Sequence, residues 1–378
     1  MLKGYLDNAA TTQLCDESKN AIISALDCFG NPSSLHKLGQ ISSAQLESAR
    51  ANVANEIKAD KSEIYFTSGG TESDNLAIRG AAMALKRRGN KIVTTAFEHA
   101  AVLSAMADLQ KQGFEVVYLN PDESGTVPVS AFENAIDDKT ILVSCMYINN
   151  ETGAVLPVQS LKAIIKRKKS PAVLHCDATQ AFGKYTLNPE KEGIDLMTLS
   201  AHKIHGPKGV GALYIKKGVR VLPITFGGGQ EKTIRPGTEP LPLILGFAVA
   251  VESLGDKKAN EQNALQIKEY LKNKLSEFDD VVINSPENST AYILNFSVMG
   301  IRSETMLHFL EQKGVYVSSG SACSKGKASH VLSALNFNRD RIDSAVRVSF
   351  SRYSTVEDAD MLYDAIKEAR TSLIRSKR

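Results

Sequence analysis

Lys203 is the residue with the most chemistry around it. It lies in "AHKIHGPKGVGALYI" (201–215), directly after the apolar run "LMTLS" and next to Ser200 and His202. "GPKGVG" then turns the chain back into a second apolar run. A lysine confined at the end of an apolar sheet can have its pKa lowered and serve as a Schiff-base nucleophile. The plainer reading, a solvated lysine in a turn, fits Lys208. Other reactive residue types also follow apolar runs. After "EIYF" comes "TSGGTESDNLAI", where Gly69 and Gly70 permit a tight turn and Thr71 opens a helix. Backbone N–H groups and a hydroxyl at such a helix start can cradle a phosphate. The same residues also fit an ordinary cap, with Thr71 and Asp74 in a capping-box pattern. His99 opens the next helix, as a cap or as an imidazole facing a ligand. Asn149 and Asn150 leave a further strand, as turn formers or as amide donors. Asp177 ends "AVLHCD", and a carboxylate there needs a partner. That partner is either the next helix start or a cationic ring nitrogen.

Each of these signals is weak alone. In open α/β sheets, however, ligands sit at the carboxyl ends of the strands. A phosphate cup, a carboxylate for a ring nitrogen, an imidazole and a confined lysine all fall there. Those are the groups that pyridoxal phosphate requires of a protein.

The elements that must position them read clearly. Between residues 60 and 215, apolar runs alternate with helical patterns: "EIYFTS", 71–88, "KIVTTA", 99–112, "FEVVYLN", "ILVSCMYI", 158–169, "AVLHCD", "LMTLSA" and "GALYIK". Such near-continuous apolar strands suit a mainly parallel sheet covered on both faces. Beyond residue 256 the pattern changes. A charged amphipathic helix is followed by strands "VVIN", "AYILNFSV" and "RVSFS", with helices at 303–313 and 355–374. This reads as a smaller α+β domain with its boundary near 253–259.

Composition excludes several classes. The 378 residues carry 43% hydrophobic and 23% charged side chains and a net charge of +3. That is ordinary for a globular protein and gives no reason to expect direct nucleic-acid binding. The longest apolar stretch, "LPLILGFAVAV" (241–251), is too short to span a bilayer. With no apolar leader at "MLKGYLDNAATT" and five cysteines in no paired spacing, a reducing cytoplasm is the expectation. Cys145 and Cys176 lie in apolar runs and read as buried and inert.

The ordered motifs resemble the cysteine desulfurases of the NifS/IscS type, in the class V aminotransferase family. The likeness runs through "YLDNAATT" (5–12), "GNPSSLHKLG" (30–39), "TSGGTESDNLAI", "EHAAVL", "NNETGAV", "HCDATQAFGK", "SAHKIHGPKGVGALY", "RPGTEP" (235–240), "SSGSAC" (318–323) and "AVRVSFS" (345–351). It implies the fold type I of pyridoxal-phosphate enzymes: a mainly parallel seven-stranded sheet in a large domain (15–255) and a small domain (1–14 and 256–378) that carries a cysteine loop at about 318–330. It implies that Lys203 carries the cofactor and that Asp177 holds its ring nitrogen protonated. His99 would stack on the ring, with Asn150 and Gln180 near the ring hydroxyl. Gly70, Thr71, Ser200 and His202 would form the phosphate cup. Thr238 would reach the phosphate of a neighbouring subunit in a homodimer. Arg347, with Asn150, would take the carboxylate of L-cysteine, and Cys323 would receive the sulfur as a persulfide. An acceptor protein for Fe–S cluster assembly or thiolation would then take it.

The sequence departs from the family pattern in small ways. Ala follows the His in "EHAAVL", Pro stands in "RPGT", and the segment after Cys323 is slightly short. An aminotransferase, a selenocysteine lyase or an inactive scaffold are the competing readings. A transaminase needs no thiol at Cys323, and a scaffold has no use for Lys203, Asp177, His99 and Arg347 together. Gly and Ser around Cys323 permit many backbone states, which suits a thiol that meets both a substrate and an acceptor. Cys323 is therefore expected to alkylate fastest of the five thiols, as mapped by peptide mass spectrometry after brief iodoacetamide treatment.

Overall fold

The computed structural model of the chain describes residues 1–319 and 328–373. Its larger sheet contains all seven strands expected between residues 60 and 215. They are β1 (Ile64–Thr67), β2 (Lys91–Thr95), β3 (Glu115–Leu119), β4 (Thr140–Ser144), β5 (Val173–Asp177), β6 (Leu196–Ser200) and β7 (Gly211–Ile215). Their order is β1-β7-β6-β5-β4-β2-β3. Neighbours are parallel except where β7 pairs with β1 and β6. The exception follows from chain length: residues 201–210 are too few for a crossover helix, so the chain returns antiparallel.

Strands β4, β6 and β7 are buried at every residue, as their unbroken apolar sequences require. Edge strand β3 is only half-buried. Side chains alternate between the two faces. On one face Val93, Val143 and Leu199 pack with Val53, Ile164 and Phe247. On the other, Ile92 and Leu142 meet Ile78 and Met106, while Leu196 and Leu213 meet Leu76. Helices Gly70–Leu85, Ala100–Lys111 and Val158–Arg167 fall within a few residues of the spans expected from the sequence.

A second, antiparallel sheet joins β8 (Val281–Ile283), β9 (Ile293–Val298) and β10 (Ala345–Ser349) in the order β10-β9-β8. Its core gathers Leu271, Phe296, Val348 and Ile366 together with Leu6 from the far end of the chain. Leu6 belongs there because residues 5–12 run as a strap beside β10. Leu6 N–H donates to Tyr316 O at 2.9 Å, and Ser349 N–H donates to Leu6 O at 2.7 Å.

A buried ion pair holds the loop that precedes Thr238. Arg50 donates from Nη1 and Nη2 to the two carboxylate oxygens of Glu231, at 2.7 and 2.8 Å. Phe66 N–H donates to the same carboxylate. Glu231, Lys232 and Thr233 are all left-handed, with φ of 44°, 54° and 69°. Non-glycine residues adopt that conformation only where surrounding contacts enforce it. Replacing Glu231 by Ala leaves the buried Arg50 guanidinium with only Glu47 and Ile64 O, and the expected loss is about 3 kcal/mol of stability in urea unfolding.

Candidate active site

The carboxyl ends of β1, β2, β4, β5 and β6 open on one cavity of about 380 Å³. Gly70, Thr71, His99, Asn150, Asp177, Gln180, Ser200, His202, Lys203 and Arg347 all line it. Among the described residues expected at the site, Thr238 is not on its wall. Thr238 stands on an exposed turn of its own chain. Cys323 lies outside the described residues.

Lys203 is placed by the tight return from β6 to β7, within the turn Ala201–Lys203. Its Nζ donates to Ala9 O at 2.7 Å and to Ala10 O at 2.6 Å. Gln180 Nε2 donates to the same Ala9 O at 2.9 Å. Thr11 Oγ1 meets His202 Nδ1 at 3.1 Å. The strap thus supplies main-chain and hydroxyl partners to three cavity residues. His202 is pushed down to about 4, first by burial and then by the Lys203 and Lys208 charges, so it is a neutral imidazole at pH 7.

Asp177 faces the cavity but caps no helix: the residues after it form a turn, and the next helix begins at Pro189 with Asn188 as its cap. Its Oδ1 accepts from Thr179 N–H at 2.9 Å. Beneath it lies a buried polar cluster. His175 shares a face of β5 with Asp177, two residues away. Its Nδ1 meets Ser144 Oγ at 2.9 Å, and its Nε2 meets Thr198 Oγ1 at 3.1 Å. Asp74 Oδ1 stands 3.6 Å from that Nε2. Burial pushes His175 down to about 4. Burial and then the Asp177 charge push Asp74 well above the usual carboxylate range. The capping-box role considered for Thr71 and Asp74 is not what the structure shows. The cap is Gly69, with no side-chain bond, and Asp74 is buried on the cavity wall.

The glycine turn is needed on steric grounds. Gly69 has φ of 151°, and a Cβ at Gly211 would stand 2.8 Å from Gly69 Cα. The helix Gly70–Leu85 therefore starts directly against the sheet end. Ser200 Oγ, beside it, is buried and has no hydrogen-bond partner among the described residues. An orphaned hydroxyl next to a helix N-terminus suits an oxygen-rich anion. Together with Lys203 and Asp177, these residues fit pyridoxal phosphate.

His99 is both cap and wall residue. Its Nδ1 accepts from Ala101 N–H at 3.2 Å, and burial lowers its pKa. Asn149 is the turn former, accepting from Glu151 N–H and Thr152 N–H, whereas Asn150 faces the cavity. Arg347, in the middle of β10, donates to Asn150 O at 2.9 Å and to Asp7 Oδ1 at 2.8 Å.

Sequence reasoning missed Asp7, Glu98, Glu151, Ser329 and His330. Glu151 and Ser329 line the cavity and share a 2.5 Å hydrogen bond. His330, also on the wall, donates from Nε2 to Glu98 O at 3.0 Å. The signal for Glu151 was its place directly after Asn150 at a strand end. "SHVL" carries a helix-cap signature at Ser329.

The Aminotransferase class-V family model matches residues 4–362. The chain belongs to that family, in its group of NifS/IscS-type cysteine desulfurases. It is 40% identical over 369 residues to the cysteine desulfurase IscS of Methanosarcina thermophila, covering 96% of this chain and 91% of that one. It is also 40% identical over 362 residues to the putative cysteine desulfurase IscS 1 of Bacillus subtilis, covering 93% and 94%. A solved NifS-like protein superposes with a TM-score of 0.93 at 36% identity, over 98% of this chain and all of the other. SspA, solved in complex with cysteine, superposes at 0.82 with 32% identity, over 93% of this chain and 100% of that one. Among the described residues no helix is long and apolar enough to cross a membrane.

Glu98 yields a stability prediction. Its carboxyl is buried and pushed up to about 8, chiefly by desolvation. A raised carboxyl stabilises the fold fully below its ordinary pKa near 4.5, and that contribution is lost as pH rises towards 8. Glu98→Gln has no such proton to lose. Urea unfolding of both proteins from pH 5 to 8.5 is expected to show wild type losing stability relative to the variant.

Proposed function

We propose that the protein is a cysteine desulfurase of the sulfurtransferase class. It removes sulfur from L-cysteine, releases L-alanine and holds the sulfur as a persulfide on Cys323. The observation that carries this reading is the convergence of Lys203, Asp177, His99 and Arg347 on one cavity at the strand ends. The 40%-identical relatives named as cysteine desulfurases support it.

Pyridoxal phosphate, when bound, supplies an electron sink for the substrate's Cα. Lys203 would hold the cofactor and then move the Cα proton. Asp177 would stabilise a protonated ring nitrogen, and the orphaned Ser200 Oγ with the start of the helix Gly70–Leu85 would meet the phosphate. Arg347 would fix the α-carboxylate, a task suited to its planar fork of donors. Neutral His99 can take and return a proton above the ring. The Cys323 thiolate would attack the substrate sulfur, forming the S–S bond as the C–S bond breaks.

We further propose a homodimer in which Thr238, on the exposed turn after the Arg50–Glu231 pair, completes the neighbouring subunit's phosphate site. The two sheets with their helices would be two domains, with residues 1–14 belonging to the smaller. A cytoplasmic location and a protein acceptor for the sulfur, in Fe–S cluster assembly or thiolation, complete the reading.

The test uses purified protein supplied with cofactor. Wild type is expected to be yellow and to yield alanine and sulfide in equal amounts from L-cysteine with a reductant. Lys203→Ala is expected to lose the visible band. Cys323→Ser should keep the band and bind L-cysteine yet form no persulfide. Full turnover by Cys323→Ser would overturn the assigned sulfur carrier, and a keto acid in place of alanine would overturn the reaction.

A further inference from the structure

Lys203 also lines a second, smaller cavity of about 30 Å³. Such a space takes about two waters. Its wall carries three cationic side chains, Lys184, Lys203 and Arg352, and among the described residues no Asp or Glu. Cations brought together away from solvent need opposite charge or a full set of hydrogen-bond acceptors.

Lys203 has acceptors in Ala9 O and Ala10 O. The other two cations are less well provided. Lys184 is half-buried, and its Nζ donates to Gln180 Oε1 at 3.3 Å and stands 5.4 Å from the centre of the Tyr292 ring. Arg352 donates from Nη1 to Ser253 O, and its guanidinium carbon stands 4.8 Å from the centre of the Tyr353 ring. Its Nε and Nη2 are buried and have no hydrogen-bond partner among the described residues. A ring face and one or two neutral oxygens do not balance a charge.

The neighbouring groups register this surplus. Burial pushes Lys184 down to about 7, and the Lys203 and Arg347 charges act in the same direction. His205, on the same wall, is pushed down to about 4. Burial is the main cause; the bond to Gln13 O opposes it, and the Arg352 and Lys184 charges add to it. His205 is therefore neutral at pH 7 and adds no further positive charge to the cavity.

We propose that this cavity binds one small monovalent anion of the halide class, chloride in particular, between the guanidinium edge of Arg352 and the ammonium of Lys184. Size and chemistry select that ligand. A monatomic ion fits a space of two waters, whereas a sulfate or phosphate group has five heavy atoms. A water could accept from Arg352, but it would leave the charges uncompensated. Asn260 Nδ2, which gives one hydrogen to Leu254 O at 2.9 Å, adds a neutral donor to the same wall. The site stands independently of the desulfurase reading, yet it bears on it. An anion favours the charged form of any amine beside it, so its occupancy would adjust the protonation of the proposed cofactor-holding lysine.

The experiment uses the full-length, cofactor-loaded protein kept free of halide, with gluconate as counter-ion. Crystals soaked in sodium bromide are measured at the bromine absorption edge. Wild type is expected to show an anomalous peak in the cavity beside Arg352 and Lys184, lost in Arg352→Gln and in Lys184→Met. In solution, thermal midpoints are compared in chloride and in gluconate at equal ionic strength, since gluconate is too large for the cavity. A ligand that binds only the folded state raises the midpoint, so exchanging gluconate for chloride should favour wild type over either variant by about 2 °C. Lys184→Met keeps the side-chain length, so it decides alone if Arg352→Gln does not fold. Water alone in the cavity of bromide-soaked wild-type crystals would overturn the proposal. So would a bromine peak that survives both substitutions, or a chloride effect equal in wild type and Lys184→Met.

Discussion

Two main-chain carbonyls determine how this site is built. The ammonium of Lys203, at the end of a buried strand, needs acceptors that cannot move away, and Ala9 O and Ala10 O provide them at 2.7 and 2.6 Å. A half-buried cation without such partners would be costly to keep. The strap that brings these carbonyls also brings Asp7 to Arg347 and Thr11 to His202. One short segment therefore sets the distance between the proposed cofactor-holding lysine and the proposed substrate-holding arginine, although they belong to different sheets.

The same economy appears beneath the cavity. Asp74 and His175 lie buried beneath Asp177, and burial disfavours charge on both. His175 is held neutral and Asp74 is pushed towards its protonated form by burial and by Asp177. The hydroxyls of Ser144 and Thr198 satisfy His175 without adding charge.

Much of this was legible in the sequence, and the reasons are specific. The strands of the large sheet are covered on both faces, so their apolar runs are nearly uninterrupted and easy to find. The residues just after those runs are polar because they face a cavity, which is why Lys203, Asp177, His99 and Asn150 could be picked out. Asp74 was read as a cap because a residue near a helix start has a local explanation that hides a tertiary one. Asp7, Glu151 and Ser329 escaped for a related reason. Their partners are Arg347 across 340 residues for Asp7, and each other across 178 for Glu151 and Ser329. No local pattern encodes such a pairing. The roles given to Thr238 and Cys323 came from resemblance, since one is exposed and off the wall of the cavity and the other lies outside the described residues.

The strap has a further consequence for how the molecule is made. Ala9 of the strap and its partner Ser349 are 340 residues apart in the chain. Contacts between such distant parts of a chain form slowly, because a long loop must close before they give any stabilisation. The larger sheet, whose strands end at Ile215, can pair while the rest of the chain is still being synthesised. The site waits longer: the strap bearing its central carbonyls is held by Thr12 at His202 and His205, but its other anchor, on β10, forms only once that strand exists.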